Sequence, residues 1–308
     1  MNEILFLKSP LREQIWGSKY FQDKAHLTKD DKLYGEYWTL SGYENFSSII
    51  TNGEFKDWEL NKLFKEHKEL FNNSKLDKFP ILIKLIATSS PLSVQVHPDD
   101  EYAKRENDLG KVESWLIIDS NNSEIVYGHN AKDKNEFIKK VKNNEFKDLL
   151  SYHNVKRGMF IPVEAGTIHA LGKDLVLLEV QQSSNVTYRL YDYDRLDKNG
   201  NKRELHLDKA IDVVKVPDSK SIKDIDYLDS KEDIELWNNE YFNIKLCNVI
   251  DELDLVNDND YLMVTVCDGE INVLDKKIGF GESFIITSKC KEISLKGNGK
   301  ILLVKSNK

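Results

Sequence analysis

The sequence predicts a mainly β protein with a few short helices, built as a barrel or sandwich in two β-rich parts. Three observations carry this. Strand-like runs dominate, among them YWTLSG, FPILIKLIAT, LSVQVH, SWLIID, MFIPVEAG, LVLLEVQQ, VTYRLYDYD, YLMVTVCDGEINVL, ESFIIT and ILLVKS. Each is rich in β-branched and aromatic residues and is bounded by Gly, Asn, Asp or Ser. Helical periodicity is confined to three stretches. With 308 residues, 40% hydrophobic and 31% charged, the chain can bury a sizeable core.

In chain order, the first helix is expected over Trp58 to Asn72, where Leu60, Leu63, Phe64, His67, Leu70 and Phe71 fall on one stripe. A second is expected over Lys134 to Tyr152, and a short one in ELHLDKAIDVV. The segment Val216 to Asp233 is polar and poor in pattern. It is read as a linker between a first part, residues 1–215, and a second β part, residues 234–308. GESFIIT in the second part echoes RGMFIPVEAG in the first, a short hint of internal duplication.

The net charge is −8 with both signs mixed along the chain, and no basic stripe stands out. This argues against nucleic acid as a partner but leaves room for a small anion held by a few local cations. MNEILFLKSPLREQIWG lacks the apolar core of a signal peptide, and no long apolar run occurs, so a cytoplasmic protein without membrane partners is expected. Cys247, Cys267 and Cys290 have no CxxC spacing and read as reduced core thiols.

The chemistry-bearing residues are sparse. In PLSVQVHPDD, Ser93, Gln95 and His97 alternate and would share one face of a strand, with Val94 and Val96 on the other. From the residues alone, that face is either wet surface or the polar lining of a site. Lys111, Glu113 and Trp115 in GKVESW alternate likewise, and His169 follows a Gly turn in GTIHALG. Two histidines and a carboxylate make a common catalytic zinc set, provided the fold brings them together.

SVQVHPDDEYA, GKVESW, IVYGHNA, EAGTIHALGK and QQSSNVTYRLYDYDR, in that order, resemble the successive motifs of type I mannose-6-phosphate isomerases in their short bacterial form. QIWGSKY, GEYWTLSGYENFSSIITNGEFK and FPILIKLIAT extend the resemblance upstream, so that it runs from about Leu11 to Val213. The resemblance implies a cupin fold: two jelly-roll β-barrels, the first carrying one zinc ion per chain and the second, from Ile234 on, none. It implies Gln95, His97, Glu113 and His169 as the metal ligands, and Arg189 and Lys111 as catalytic residues. Tyr191 is expected to share the face of Arg189. Ser93, Lys111 and Lys84 are implied in the substrate pocket, with Trp16 and Glu36 at its entrance wall. The reaction implied is the interconversion of mannose 6-phosphate and fructose 6-phosphate. The partner would be a small sugar phosphate, and the protein a monomer or homodimer. The competing expectation is a non-catalytic cupin that binds a sugar phosphate as a sensor. Two departures stand out: Asn185 replaces an Asp common in the family four residues before the arginine, and Glu164 replaces a Pro.

Overall fold

A computed structural model describes residues 3–196 and 200–308. It is a mainly β protein of three antiparallel sheets with a few short helices. A six-stranded sheet runs in the order Phe160–Val163, Glu113–Ser120, Leu175–Gln182, Ile81–Ala87, Tyr34–Ser41, Leu11–Ser18. A five-stranded sheet faces it: Tyr188–Tyr191, Val94–Val96, His169–Ala170, Glu124–His129, Leu150–Asn154. The third, eight-stranded sheet is made of the strands after Ile234, joined by Ile4–Lys8, which pairs with Ser283–Ile286, and by Ile49–Ile50. The chain's first strand thus lies in the sheet built by its last quarter.

Apolar residues sort the layers. Ile83, Leu85, Leu178 and Val180 leave the outer face of the six-stranded sheet and meet Met263, Ile285, Leu302 and Val304 of the eight-stranded one. On the inner face, Trp115, Ile117, Ile86 and Leu177 meet Ile125 and Tyr127 of the five-stranded sheet and Leu171 just beyond it. Val94, Val96 and Leu190 point the other way, onto Phe137, Val141 and Phe146 of the helices. The alternation of Val94 and Val96 with Gln95 is therefore a strand with a helix-covered apolar face and a polar face turned between two sheets.

The helices are shorter than their patterns. The first spans Leu60–Glu66 and continues as a 3-10 turn, Lys68–Leu70. The second spans Lys134–Lys142 and is capped by Asp133, whose carboxylate accepts from the Glu136 N–H. Asn144 takes a left-handed φ of 56°, and Phe146–Leu149 forms one further turn. Leu150–Asn154 then becomes a strand against Glu124–His129, because that sheet edge offers partners to Leu150, Tyr152, His153 and Asn154, with one irregularity in the register. The third helix is Leu207–Val213. Val216 to Asp233 is tied down along its length: His129 N–H donates to Asp218 O at 3.0 Å and Tyr227 N–H to Gly158 O at 3.0 Å.

The echo between the two parts is a repeated turn. Gly158 and Gly281 take left-handed φ values of 80° and 77°, a region that favours glycine. Each donates its N–H at 2.8 Å to a strand carbonyl, Ile117 O and Val266 O, and each of those residues donates back at 3.0 Å to Met159 O and Glu282 O. The strands Phe160–Val163 and Ser283–Ile286 follow.

Candidate metal centre and substrate site

Strand register assembles the site. On the inner face of the five-stranded sheet, Tyr127, His169, Gln95 and Arg189 pair in one row across four strands. On the facing six-stranded sheet, Gln181 pairs with Glu113, and one step along, Trp115, Glu179 and Lys84 form a second row. Directly paired residues lie on the same face and in contact range. The two sheets therefore bring together His97, Glu113 and His169 from distant points of the sequence, with metal-binding atoms all within 4.8 Å of one another.

All three are fully buried. His97 Nε2 is 3.5 Å from Glu113 Oε2, and His169 Nε2 is 3.3 Å from Glu113 Oε1. The opposite ring nitrogens face backbone carbonyls: His97 Nδ1 with Val186 O at 2.8 Å and His169 Nδ1 with Thr167 O at 2.9 Å. A carbonyl can only accept, so each Nδ1 carries the proton and each Nε2 presents a lone pair. This is how metal-ligating histidines are oriented. Burial, then the charge of Lys111, pushes His97 down to about 3, and burial also lowers His169, so both rings are neutral. Burial alone would raise Glu113. The charge of Lys111 first, and then the neighbouring His97 and His169 rings, outweigh it and hold the carboxyl well below its ordinary range.

The donor set fits a divalent cation. Glu113 has both oxygens buried without a well-directed hydrogen bond, an arrangement that is costly unless a cation is coordinated there. Gln95 lies with its amide 3.5 Å and 3.3 Å from the two Nε2 atoms, and a half-turn about its last bond would present its oxygen instead. Lys111 Nζ stands 2.8 Å from Glu113 Oε2 and 3.2 Å from His97 Nε2. Burial pulls Lys111 down, but Glu113, Glu179 and Glu36 overcome this and hold its pKa above the ordinary lysine value.

The other expected residues divide into two groups. Arg189 donates from Nε to Ser93 Oγ at 3.3 Å, beside Gln95. Lys84 belongs to the second row and Glu36, paired with Ile86, stands next to it: Lys84 Nζ is 2.8 Å from Glu179 Oε1 and 4.0 Å from Glu36, and Trp38 Nε1–H donates to Glu36 at 2.8 Å. Trp16 is buried in the apolar packing between the sheets, its ring against Gly35. Tyr191 corrects its expectation. The register shifts between Arg189 and Tyr191, which turns Tyr191 to the helix side, stacked on Phe146 at 4.4 Å. Asn185 is exposed, its backbone N–H donating to Asp108 at 3.3 Å. Two surface clefts of about 590 and 520 Å³ lie elsewhere and gather none of the metal donors.

Sequence reasoning missed Glu179. Its signal was a lone acid inside LVLLEVQQ, matched by the lone lysine inside FPILIKLIAT. The structure pairs the two, and Trp115 Nε1–H also donates to Glu179 at 3.2 Å.

Comparison with known proteins decides the family. Residues 4–135 match the family model for the phosphomannose isomerase type I catalytic domain, and residues 232–306 match that for the mannose-6-phosphate isomerase cupin domain. The chain is 36% identical over 311 residues to mannose-6-phosphate isomerase ManA of Bacillus subtilis, covering 98% of each. The chain belongs to the type I mannose-6-phosphate isomerase family. A mannose-6-phosphate isomerase of Streptococcus mutans is 35% identical over 100% of this chain and 99% of its own. The crystal structure of the mannose 6-phosphate isomerase from Bacillus subtilis superposes with a TM-score of 0.90 at 34% identity, covering 98% of this chain and 99% of that one. Membership in the mannose-6-phosphate isomerase family makes the chain an aldose–ketose isomerase, and the sensor alternative is not favoured. Among the described residues, no helix is long and apolar enough to cross a membrane.

Proposed function

We propose that the chain interconverts mannose 6-phosphate and fructose 6-phosphate, using one zinc ion per chain, by moving a proton between C2 and C1 through a cis-enediol. The observation that carries this reading is the buried His97–Glu113–His169 group, whose two Nε2 lone pairs converge on one carboxylate while both Nδ1 protons are held by the backbone. These three residues would hold the zinc, with Gln95 as a fourth ligand. When bound, zinc supplies a Lewis acid for the sugar oxygens.

The protein's own groups divide the remaining work. Arg189 brings a fixed cation to the charge that develops on those oxygens. Lys111 stands beside the ligand set, 2.8 Å from Glu113 Oε2 and 3.2 Å from His97 Nε2, where its ammonium would donate to a substrate oxygen. His97 and His169 are committed at both nitrogens. Glu179, a buried inner-face carboxylate outside the ligand set, is our choice for the group that carries the proton, with Lys84 as its counter-ion. Ser93, presented by Arg189, and the Lys84–Glu36 pair with Trp16 line the approach for the sugar. The protein is read as a cytoplasmic enzyme whose partner is the sugar phosphate alone.

The test is purified protein given mannose 6-phosphate and followed for fructose 6-phosphate. Activity lost to a chelator and restored by zinc is expected. Activity indifferent to the chelator removes the zinc assignment, and no product in any condition removes the substrate. Elemental analysis should give one zinc per chain, unchanged when Cys247, Cys267 and Cys290 are replaced by serine, since all three are buried free thiols whose pKa is raised by burial.

A further inference from the structure

The geometry points to Arg203 and Arg195, clamped on Asp192 beside Arg189, as the grip for the phosphate of the substrate. The inference rests on the proposed sugar-phosphate reaction and specifies where its anionic end is held. Asp192 is buried, its side chain only 5% exposed. Arg203 takes it as a fork, Nε to Oδ2 at 2.7 Å and Nη2 to Oδ1 at 2.6 Å. Arg195 Nη2 joins on Oδ1, and Arg195 Nη1 donates to Pro91 O, two residues before Ser93. Arg189 donates to Ser93 Oγ and, from Nη1, to Glu204 O at 2.7 Å.

The three guanidiniums are near enough to feel one another: after burial, Arg203 and Arg195 both lower the pKa of Arg189, against the pull of Asp192 and Glu204. Three positive charges against the single carboxylate of Asp192 leave two uncompensated at the Ser93 end of the metal-site row. The Glu204 side chain does little to cancel them, since it is 83% exposed and stands 3.9 Å from His206. A half-buried cluster of like charges is unfavourable unless an anion completes it, and a phosphate dianion carries the matching charge. The capacity to bind one is visible. Arg195 Nε is buried and has no partner, and the Arg195 and Arg203 side chains keep 21% and 23% of their surface exposed. Asp192 in this account is a positioning residue. It orients two forks that would otherwise repel each other.

The experiment uses the full-length protein with its metal and the variants Arg203→Gln and Arg203→Lys. Binding of inorganic phosphate is measured by titration calorimetry, and kcat and KM are measured for mannose 6-phosphate. Arg203→Gln is expected to weaken phosphate binding roughly tenfold, the size of a lost charge-assisted hydrogen bond, and to raise KM more than it lowers kcat. Arg203→Lys, which keeps the charge and loses the fork, should fall between it and the parent. Circular dichroism and zinc content establish that each variant is folded. Phosphate affinity and KM unchanged in folded Arg203→Gln overturn the inference, as does a fall in kcat alone. Failure of the parent protein to isomerise mannose 6-phosphate would overturn the proposed reaction instead, and the phosphate titration would still read the grip.

Discussion

The strand after Gly158 and the strand after Gly281 begin with the same turn and the same pair of backbone hydrogen bonds, yet the spaces they help enclose are filled in opposite ways. Between the first two sheets lie Glu113, Lys111, Glu179, Lys84, His97 and His169, all buried and charged or titratable. The corresponding interior of the eight-stranded sheet holds Val264, Val266, Ile271, Phe284, Ile286, Leu295 and Ile301. Residues 234–308 contain no histidine. A backbone frame is evidently indifferent to what lines it. The difference is set by every second residue of a strand, and it decides whether a space stores chemistry or stability. Buried charges need exact partners and give little net stability, whereas apolar side chains contribute on the order of 1.5–3 kcal/mol each on burial.

The largest expected effect tests the polar side of this comparison. His97→Ala or His169→Ala removes a donor that no neighbour replaces, so bound zinc should be lost and isomerisation should fall by about a hundredfold or more. Elemental analysis beside the activity assay checks it. A full equivalent of zinc remaining in His97→Ala would break the comparison, because the metal would then have to sit elsewhere.

Arg189→Ala comes next. It should retain zinc and fold, and kcat should fall by about a hundredfold, as for loss of a charge aligned with the transition state. Unchanged turnover would move Arg189 from chemistry to structure. Together with the histidine variants this separates holding the metal from using it.

How far these roles were readable from sequence follows from the same alternation. Gln95, His97 and Arg189 stand at polar positions inside otherwise apolar strands, and the motif order placed them in a family. The β class was legible from run length and composition. The partners were not. That Glu179 meets Lys84, or that Arg203 reaches Asp192, depends on register between strands far apart in sequence, which no local pattern encodes. Tyr191 failed for a related reason: one irregularity in the ladder reverses every side chain beyond it. The tail of the Lys134 to Tyr152 pattern failed because an open sheet edge outcompeted helix propensity at Leu150–Asn154.

The apolar side is tested by Phe284→Ala. Phe284 is fully buried among Val264, Val266 and Ile286. Its truncation should cost about 3–5 kcal/mol of unfolding free energy, read by denaturant titration. Zinc content and KM in the remaining folded protein should stay as in the parent. A loss of zinc at temperatures where the variant is still folded would show that the second interior does more than support the first.

The smallest effect is a pH dependence that should belong to the first part alone. His129 is buried, with Nε2 donating to Lys215 O at 2.8 Å and Nδ1 accepting the Ala131 N–H at 3.2 Å. A protonated ring would have no lone pair for Ala131, and burial lowers the pKa despite the opposing pull of the Lys215 carbonyl, Asp218 and Glu136. Lys134 adds to the lowering. The folded state therefore binds this proton more weakly than the unfolded chain, whose histidine titrates near about 6.5. Above that pH the ring is neutral in both states and His129 carries no proton linkage. As the pH falls below it, the unfolded state takes up the proton first and stability declines until the folded pKa is passed. Denaturant midpoints measured from pH 8 to pH 5 should fall toward acid, and His129→Gln should flatten part of that slope while lowering stability at pH 8 by about 1–2 kcal/mol for the disturbed hydrogen bonds. The comparison is made between parent and variant so that the metal-site histidines, common to both, cancel. Parallel pH profiles for the two proteins would remove His129 from the account and leave the acid sensitivity of the first part to its metal centre.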